Sequence, residues 1–573
     1  MVVEVKRHSS DEIKFEGNRL LVRYGTRWHD ASDQSESQKY AFKELQQASY
    51  HQDRKRTPTF IHNALWLPRV NTLNQHIYTK PPVYFNDLTW QKLIDDLDIR
   101  KIKEDVHYTS VVKTLVSAEN SAKNHSFDSL VEILTKEVVP TKLDKERIKR
   151  LNQERFDADK TQYIQNLGNG LLMLKGRGGT GKTFSLLQLA LHLSKKGSKT
   201  LILTFNHGLI SDISRTLRIL EETWPEEKPL PEIMTRYEFI KRIYMSNSLD
   251  KIIKGPDIEG NERKRTNFLL GEIGEIYSPW DFVLIDEGQD WQDIHRDLVF
   301  KIFGPEKVIV AHGVDQFVSG DRCEWDLEKI RINRRHSLRV SRRTKGATCA
   351  TISHLAKRLG VKDWDLEPDP EIYGGRLTVL VEPNGPQAMQ KTLALLRDDY
   401  SSPEDIQPVD NLLCLPDSKS SAGINYPALF DTYIREFEME SWRGFDPDDR
   451  RIYPYENSQL RCVLYQSCRG MEGWTTVCMG LDKFYESQFE QFRVNERDLE
   501  IGLRLQHGLL FESDMIRQKT AELKKQHANQ WIMIPLTRSI DHLIIHLSNP
   551  DSYLSLHLRE ISDKLSGSIN WIE

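Results

Sequence analysis

Leu171-Leu-Met-Leu-Lys-Gly176-Arg-Gly178-Gly179-Thr180-Gly181-Lys182-Thr183 is an apolar run that ends in a loop of the form G-x-x-x-x-G-K-T, and the helical pattern Phe184 to Leu193 follows it. Strand, glycine-rich loop and helix in that order is the context in which such a loop cradles phosphate. Gly176, Gly178, Gly179, Thr180 and Gly181 let backbone N–H groups turn inward around phosphate oxygens, and the helix N-terminus adds a positive partial charge. Lys182 is then placed to reach the β- and γ-phosphates of ATP, and the Thr183 hydroxyl to ligate Mg²⁺. Downstream, Phe282-Val-Leu-Ile-Asp286-Glu287 is a second apolar run, ending in two acids. Asp286 suits the Mg²⁺ of ATP and Glu287 the polarisation of an attacking water.

Outward from the loop, short apolar runs alternate with helical segments. Leu171 to Leu174, Thr200 to Thr204, Phe282 to Ile285 and Val308 to Val310 form one set. Leu377 to Val381, Asn411 to Cys414, Cys462 to Tyr465, Thr476 to Met479 and Ile532 to Pro535 form a second. Such runs separated by helices predict buried parallel strands, hence two doubly wound α/β lobes. Before them come strand-like pieces at Met1 to Val5 and Arg19 to Tyr24, a helical piece from Ser37 to Ala48, and a charged helical stretch. The expected organisation is a small α/β domain over 1–90, a helical connector over 91–150, a first lobe over 151–340 and a second over 341–573.

Composition narrows the class. The 573 residues are 38% hydrophobic and 29% charged, with a formal net charge of −4. These are ordinary values for a globular protein with sizeable cores. No apolar run reaches the roughly 18 residues of a membrane span, and no secretory signal is read at Met1 to Lys6. Six scattered cysteines, none in a CxxC pair, predict no zinc site and a reducing, cytoplasmic setting. The negative net charge is compatible with a local basic groove, and the densest basic stretch runs from Arg331 to Lys345.

Asp286-Glu287-Gly288-Gln289-Asp290 resembles the D-E-x-Q-D box of superfamily 1 helicases of the UvrD/Rep-like branch, and further boxes follow in that family's order over roughly residues 150 to 550. Gln162 resembles the upstream glutamine that reads adenine. Leu203-Thr204-Phe205-Asn206 resembles the box that touches single-stranded DNA, with Thr204 and Asn206 as phosphate contacts and Phe205 as a base contact or core residue. Val310-Ala-His312-Gly313-Val-Asp315-Gln316 places Gln316 as the γ-phosphate sensor. Here His312-Gly313 replaces the family's Gly-Asp, and the base-stacking aromatic is displaced, with Trp325 a substitute or a core residue. In Ser341-Arg342-Arg343-Thr344 the resemblance makes Arg343 an arginine finger and puts Arg342 where an aromatic normally stacks on the base. Ser467-Cys-Arg469-Gly470-Met471-Glu472 resembles the K-G-L-E box, with Glu472 on nucleotide and Ser467 and Arg469 on the strand. Pro535-Leu-Thr537-Arg538 supplies Arg538 as a second finger.

The resemblance implies RecA-like lobes that bind ATP and Mg²⁺ and translocate 3′ to 5′ on single-stranded or partly duplex DNA, in repair or defence against phage. The motifs do not separate DNA from RNA, since such motors grip phosphates and stack bases. Little room for accessory domains predicts a compact motor. The alternative expectation is an ATP-gated scaffold that recruits a partner without processive unwinding.

At the start, Glu4 and Lys6 make an E-x-K on an apolar strand, and Gln38 follows on a helix. This resembles the NERD (nuclease-related) branch of the PD-(D/E)xK nucleases, in which Glu4 would ligate a metal and Lys6 would position water. The family's metal-binding aspartate strand has no counterpart before Glu4. The expectation is an N-terminally incomplete domain, either a nuclease with a substitute acid such as Asp30 or a platform that docks DNA or a protein partner.

Overall fold

The computed structural model describes residues 2–24, 26–39, 63–71, 79–89, 92–93, 138–152, 167–221, 223–225, 228–247, 258–313, 323–327, 332–361, 364–400, 405–417, 424–447, 449–451, 453–493, 499–501, 503, 513–565 and 569–573. The chain divides into two compact units, Met1–Glu137 with Tyr237–Pro279, and Val138–Arg236 with Trp280–Glu573. Most of the expected connector over 91–150 lies outside the described residues.

In the first unit, strands β1 (Val2–Val5), β5 (Asn63–Trp66) and β6 (Val83–Tyr84) form a parallel sheet in the order β1-β5-β6. Strands β2 (Ile13–Glu16), β3 (Arg19–Tyr24) and β4 (Arg27–Asp30) form an antiparallel meander. The β2–β3 link is the dipeptide Gly17-Asn18, with Gly17 at φ +60°. A glycine at the first central position is what a two-residue hairpin of the II′ kind requires. Leu20, Val22, Ala31, Leu65, Leu67 and Val70 make the core. Helix α1 (residues 31–39) starts where Asp30 Oδ1 accepts the Asp33 N–H at 2.8 Å, an N-cap bond, while its other oxygen pairs with buried Arg19. The segment Tyr237–Pro279 joins this unit through Arg242, which reaches Asp33 at 3.4 Å and Ser37, and through Tyr277, whose ring lies 4.0 Å from the Arg19 guanidinium.

The second unit holds two parallel sheets. The first contains β7 (Leu171–Gly176), β8 (Thr200–Thr204), β9 (Glu232–Thr235), β10 (Phe282–Ile285), β11 (Val308–Gly313) and β12 (Ile332–Leu338), in the order β12-β7-β11-β10-β8-β9. A short pair, β13 (Val340–Ser341) with β14 (Glu367–Pro368), follows. The second sheet contains β15 (Arg376–Val381), β16 (Leu412–Leu415), β17 (Glu440–Arg443), β18 (Gln459–Leu464), β19 (Gly473–Cys478), β20 (Ser539–Leu547) and β21 (Asn570–Ile572), in the order β17-β18-β16-β19-β20-β15-β21. The central strands are buried on both faces, which is why they read as continuous apolar runs. The mixed α/β architecture with parallel sheets is therefore observed.

Four helices place the site: α2 (Lys142–Asn152), α3 (Lys182–Lys195), α4 (His207–Glu221) and α5 (Asp293–Phe303). One expected strand is corrected. Ile532 to Pro535 ends a 24-residue helix, α6 (Ser513–Leu536), and the strand begins after it, at Ser539. A short buried apolar run has no periodicity that separates helix from strand.

Parallel register aligns the C-terminal ends of the first sheet's strands. Ile285 pairs with Leu203 and with Val310, and Gly176 pairs with Gly313. The phosphate loop, the Asp286-Glu287 turn and Thr204-Phe205-Asn206 are thus delivered to one edge, where open α/β sheets form their ligand crevice. The turn is tight: a Cβ on Gly288 would lie 2.4 Å from Val310 Cγ1 and 3.0 Å from Trp325 Nε1. Gly288→Ala is expected to cost about 1–3 kcal/mol through overpacking. Chemical denaturation would show this as a lowered midpoint.

Candidate nucleotide site between the two parallel sheets

The phosphate loop runs from Gly176 at the end of β7 to Thr183 in the first turn of α3. Gly179 and Gly181 have φ of +87° and +85°, values that L side chains rarely adopt, so these two turns of the loop call for glycine. The Lys182 ammonium donates to the Arg177 carbonyl at 2.9 Å and is buried. Burial pushes it below the usual lysine range against the pull of Glu287 and Asp286, and Arg538 and Arg343 add to the push. Residues far apart in sequence therefore converge on one ammonium.

Asp286 and Glu287 sit at the end of β10. Thr183 Oγ1 donates to Asp286 Oδ2 at 3.0 Å, while Asp286 Oδ1 is buried and has no hydrogen-bond partner. Burial and the neighbouring Glu287 push the Asp286 carboxyl up to about 7, against Lys182. The Thr183 hydroxyl and the second Asp286 oxygen are hard oxygen donors of the kind that Mg²⁺ takes. The residues present fit the metal. Burial opposes charge on Glu287 too, yet Lys182, Arg469 and Arg538 together hold its carboxyl below the usual range. Gln289 Nε2 donates to Glu287 Oε2 at 2.6 Å, and the Gly313 N–H donates to Gln289 Oε1 at 2.6 Å. Gln289 thus fixes the Glu287 side chain to the end of β11.

The second half of the chain brings three guanidinium groups. Arg343 donates from Nε to Glu472 Oε2 at 3.2 Å and from Nη1 to the Thr537 carbonyl at 3.1 Å. Burial and Arg538 push it down to about 10, against Glu472. Arg538 is buried and held by the Ile534 carbonyl at 2.8 Å and Thr537 Oγ1 at 3.0 Å. Arg469 pairs through Nη1 with Asp290 Oδ2 at 2.6 Å, while its Nε and Nη2 are buried without partners. It stands close enough to Glu287 to help hold that carboxyl below its usual range.

Other expected residues are placed as follows. Asn206 donates to the Ser467 carbonyl at 2.8 Å and to the Arg469 carbonyl, so it joins the ends of the two sheets in this conformation. Thr204 Oγ1 accepts the Asn206 N–H at 3.2 Å. Phe205 is 37% exposed with the Arg236 guanidinium 4.2 Å from its ring centre. Trp325 is fully buried, donates to the Gly288 carbonyl at 2.8 Å and packs edge-on against Trp291 and Phe300, so it is a core residue. Arg342 approaches the phosphate loop, its N–H donating to the Gly179 carbonyl at 3.2 Å. Gln162 and Gln316 lie outside the described residues.

In the first unit, Lys6 Nζ contacts Glu4 Oε1 at 2.6 Å and Gln34 Oε1 at 2.9 Å. The glutamine that meets the E-x-K is therefore Gln34, and Gln38 on the same helix is exposed. Asp30 is committed to Arg19 and to capping α1. Among the described residues, no group of three or more His, Cys, Asp or Glu side chains is arranged to hold a metal ion.

Sequence reading missed a buried ionic network beside this site. Arg147 on α2 joins Asp212 on α4 at 2.7 Å and Glu472 at 2.7 Å. Arg461 on β18 meets the other Asp212 oxygen at 2.7 Å, and Arg215 pairs with Asp144 at 2.8 Å. Only the three-residue spacing of Arg147 and Arg150, which puts both on one helical face, hinted at it.

No family model matches the chain, and no curated protein matches it. Among solved structures, the PRRSV helicase aligns at 10% identity and a TM-score of 0.28, over 68% of this chain and 54% of that one. The chain thus spans about half the length of that protein. No helix among the described residues is long and apolar enough to cross a membrane.

Arg461 and Asp212 are 1% and 4% exposed, so Arg461→Met leaves Asp212 Oδ1 without its partner while Arg147 keeps Oδ2. A loss of about 1–3 kcal/mol is expected. Urea unfolding monitored by tryptophan fluorescence would report it.

Proposed function

We propose that this protein is an ATP-driven motor of the superfamily 1 helicase type, with two RecA-like lobes built on the two parallel sheets, that moves 3′ to 5′ along single-stranded DNA. The observation that carries the reading is the convergence on Lys182 of Asp286 and Glu287 from the first sheet and of Arg343 and Arg538 from the second half of the chain. A triphosphate is strongly anionic, and a water-poor pocket with several fixed cations binds it and stabilises the charge that moves onto the leaving oxygen. Lys182 and the loop N–H groups hold the phosphates. Thr183 and Asp286 would hold Mg²⁺, which supplies charge neutralisation when bound. Glu287, oriented by Gln289, polarises the attacking water. Arg343 and Arg538 stabilise γ-phosphate charge, and such fingers contribute about 10³–10⁵ in rate.

Because the fingers stand outside the first sheet, hydrolysis depends on how the lobes meet. Asn206, next to the expected strand contacts Thr204 and Phe205, bonds the Ser467-Arg469 backbone, which gives the strand side a route to the nucleotide side. A DNA processing role, in repair or defence, accords with this reading, as does a nuclease-related or DNA-docking role for the Glu4-Lys6-Gln34 cluster. A second reading, an ATP-gated scaffold, draws on the buried ion pairs that join the two halves of the site.

Lys182→Ala should abolish ATP hydrolysis, and Glu287→Gln should retain ATP binding while slowing turnover by at least about 10². Unchanged turnover in either variant would remove that assignment. An ATP-dependent displacement of streptavidin from the 5′ end of a biotinylated oligonucleotide tests movement and its direction. Hydrolysis with no displacement from either end would favour the scaffold. Cleavage of end-labelled DNA by wild type but not by Lys6→Ala would make the first unit a nuclease; no cleavage by either would leave it a docking module.

A further inference from the structure

Arg147 and Arg150 lie on α2, in none of the boxes that carry the nucleotide reading. Both nevertheless end at Glu472. Glu472 Oε1 accepts from Arg147 Nε at 2.7 Å and from Arg150 Nη2 at 3.0 Å, while Oε2 accepts from Arg343 Nε at 3.2 Å. One buried carboxylate is shared by three guanidinium groups.

We propose that Arg147 and Arg150 are positioning residues for ATP hydrolysis: they hold Glu472 so that it orients Arg343 toward the phosphate loop without neutralising it. The inference rests on the hydrolysis reading above. A carboxylate left alone with one arginine forms a two-pronged pair that draws the guanidinium in and cancels its charge. Here the α2 arginines fill Oε1, and Arg150 Nη1 also reaches Oε2 at 3.5 Å, so Arg343 makes a single bond to Glu472, from Nε to Oε2. Its Nη1 is held by the Thr537 carbonyl, and its charge still reaches Lys182.

Arg147 also ties the two sheets together. Arg147 Nη2 donates to Asp212 Oδ2 on α4, beside the first sheet, and Asp212 Oδ1 accepts from Arg461 on β18 of the second. Arg461 Nη2 then donates to the Glu472 carbonyl at 2.8 Å, which closes a ring through both halves of the site. Arg150 also lies 5.4 Å from the Phe184 ring centre, one residue beyond Thr183. A cavity lined by Arg147, Thr183, Phe184, Arg343, Gly470 and Glu472 connects these groups to the phosphate loop. The N-terminus of α2 is anchored separately, where Asp410 Oδ1 accepts the Leu143 N–H at 3.0 Å, so the helix is fixed at one end and reads the site at the other.

The test is steady-state ATP hydrolysis and equilibrium ATP binding by wild type, Arg150→Ala, Arg150→Lys, Arg343→Ala and the Arg150→Ala/Arg343→Ala double variant. Arg150 is chosen because its side chain is 15% exposed, so its loss is the better tolerated, and melting curves would check the fold. Arg150→Ala should lower kcat about tenfold with KM and ATP affinity nearly unchanged, Arg150→Lys should recover most of the rate, and Arg150→Ala should have no further effect once Arg343 is gone. Equal fold losses with and without Arg343, or a raised KM at unchanged kcat, would overturn the proposal. A flat Arg150 series in an active protein removes this inference alone. Absence of wild-type turnover removes the hydrolysis reading and this inference with it.

Discussion

The Arg147 guanidinium, 2.7 Å from Asp212 on one side and 2.7 Å from Glu472 on the other, is the joint on which the second unit's arrangement depends. Taking charges out of water is costly, and a buried pair repays that cost only when every partner is in place. Here the partners come from four segments: α2, α4, β18 and the loop before β19. The network is satisfied in one arrangement of the two sheets, so it specifies that arrangement more than it stabilises it. Glu472 shows the tension in its own ionisation. Burial opposes its charge, yet Arg150, Arg147 and Arg343 hold the carboxyl well below its usual range.

The glycine-rich loop owes its shape to its neighbours in sequence and not to this joint. Its residues are local, fixed by β7, two glycines with positive φ and α3, and would fold around phosphate in any protein of this architecture. The groups proposed to stabilise γ-phosphate charge are not local. Arg343 and Arg538 are brought in by the second half of the chain and held by carbonyls of Thr537 and Ile534. Asp286, with an unpartnered buried oxygen, and Arg469, with two unpartnered nitrogens, are the places where this protein tolerates unmet polar groups beside the loop. Buried polar groups of this kind cost stability.

Much of this was legible in the residues. Gly176 to Thr183 and Asp286-Glu287 announced their geometry because a phosphate loop is a local object, and buried parallel strands such as Thr200–Thr204 read as unbroken apolar runs. Ile532 to Pro535 misled for the same reason, since a buried helix end is equally apolar. The network was not legible, because Asp144, Arg147, Asp212 and Arg215 look like an ordinary solvated face until the second sheet covers them. Gln34 rather than Gln38 meets Lys6 because the helix begins at the Asp30 cap, earlier than the apolar pattern suggested.

In the proposed motor, hydrolysis at the loop is coupled through the joined lobes to a nucleic-acid strand. The measurement to make is ATP turnover by the wild-type protein at low salt, with and without single-stranded DNA. Turnover should rise several-fold with the strand and lose that stimulation as salt screens the phosphate contacts. Turnover indifferent to single-stranded DNA at every salt concentration would rule the coupling out.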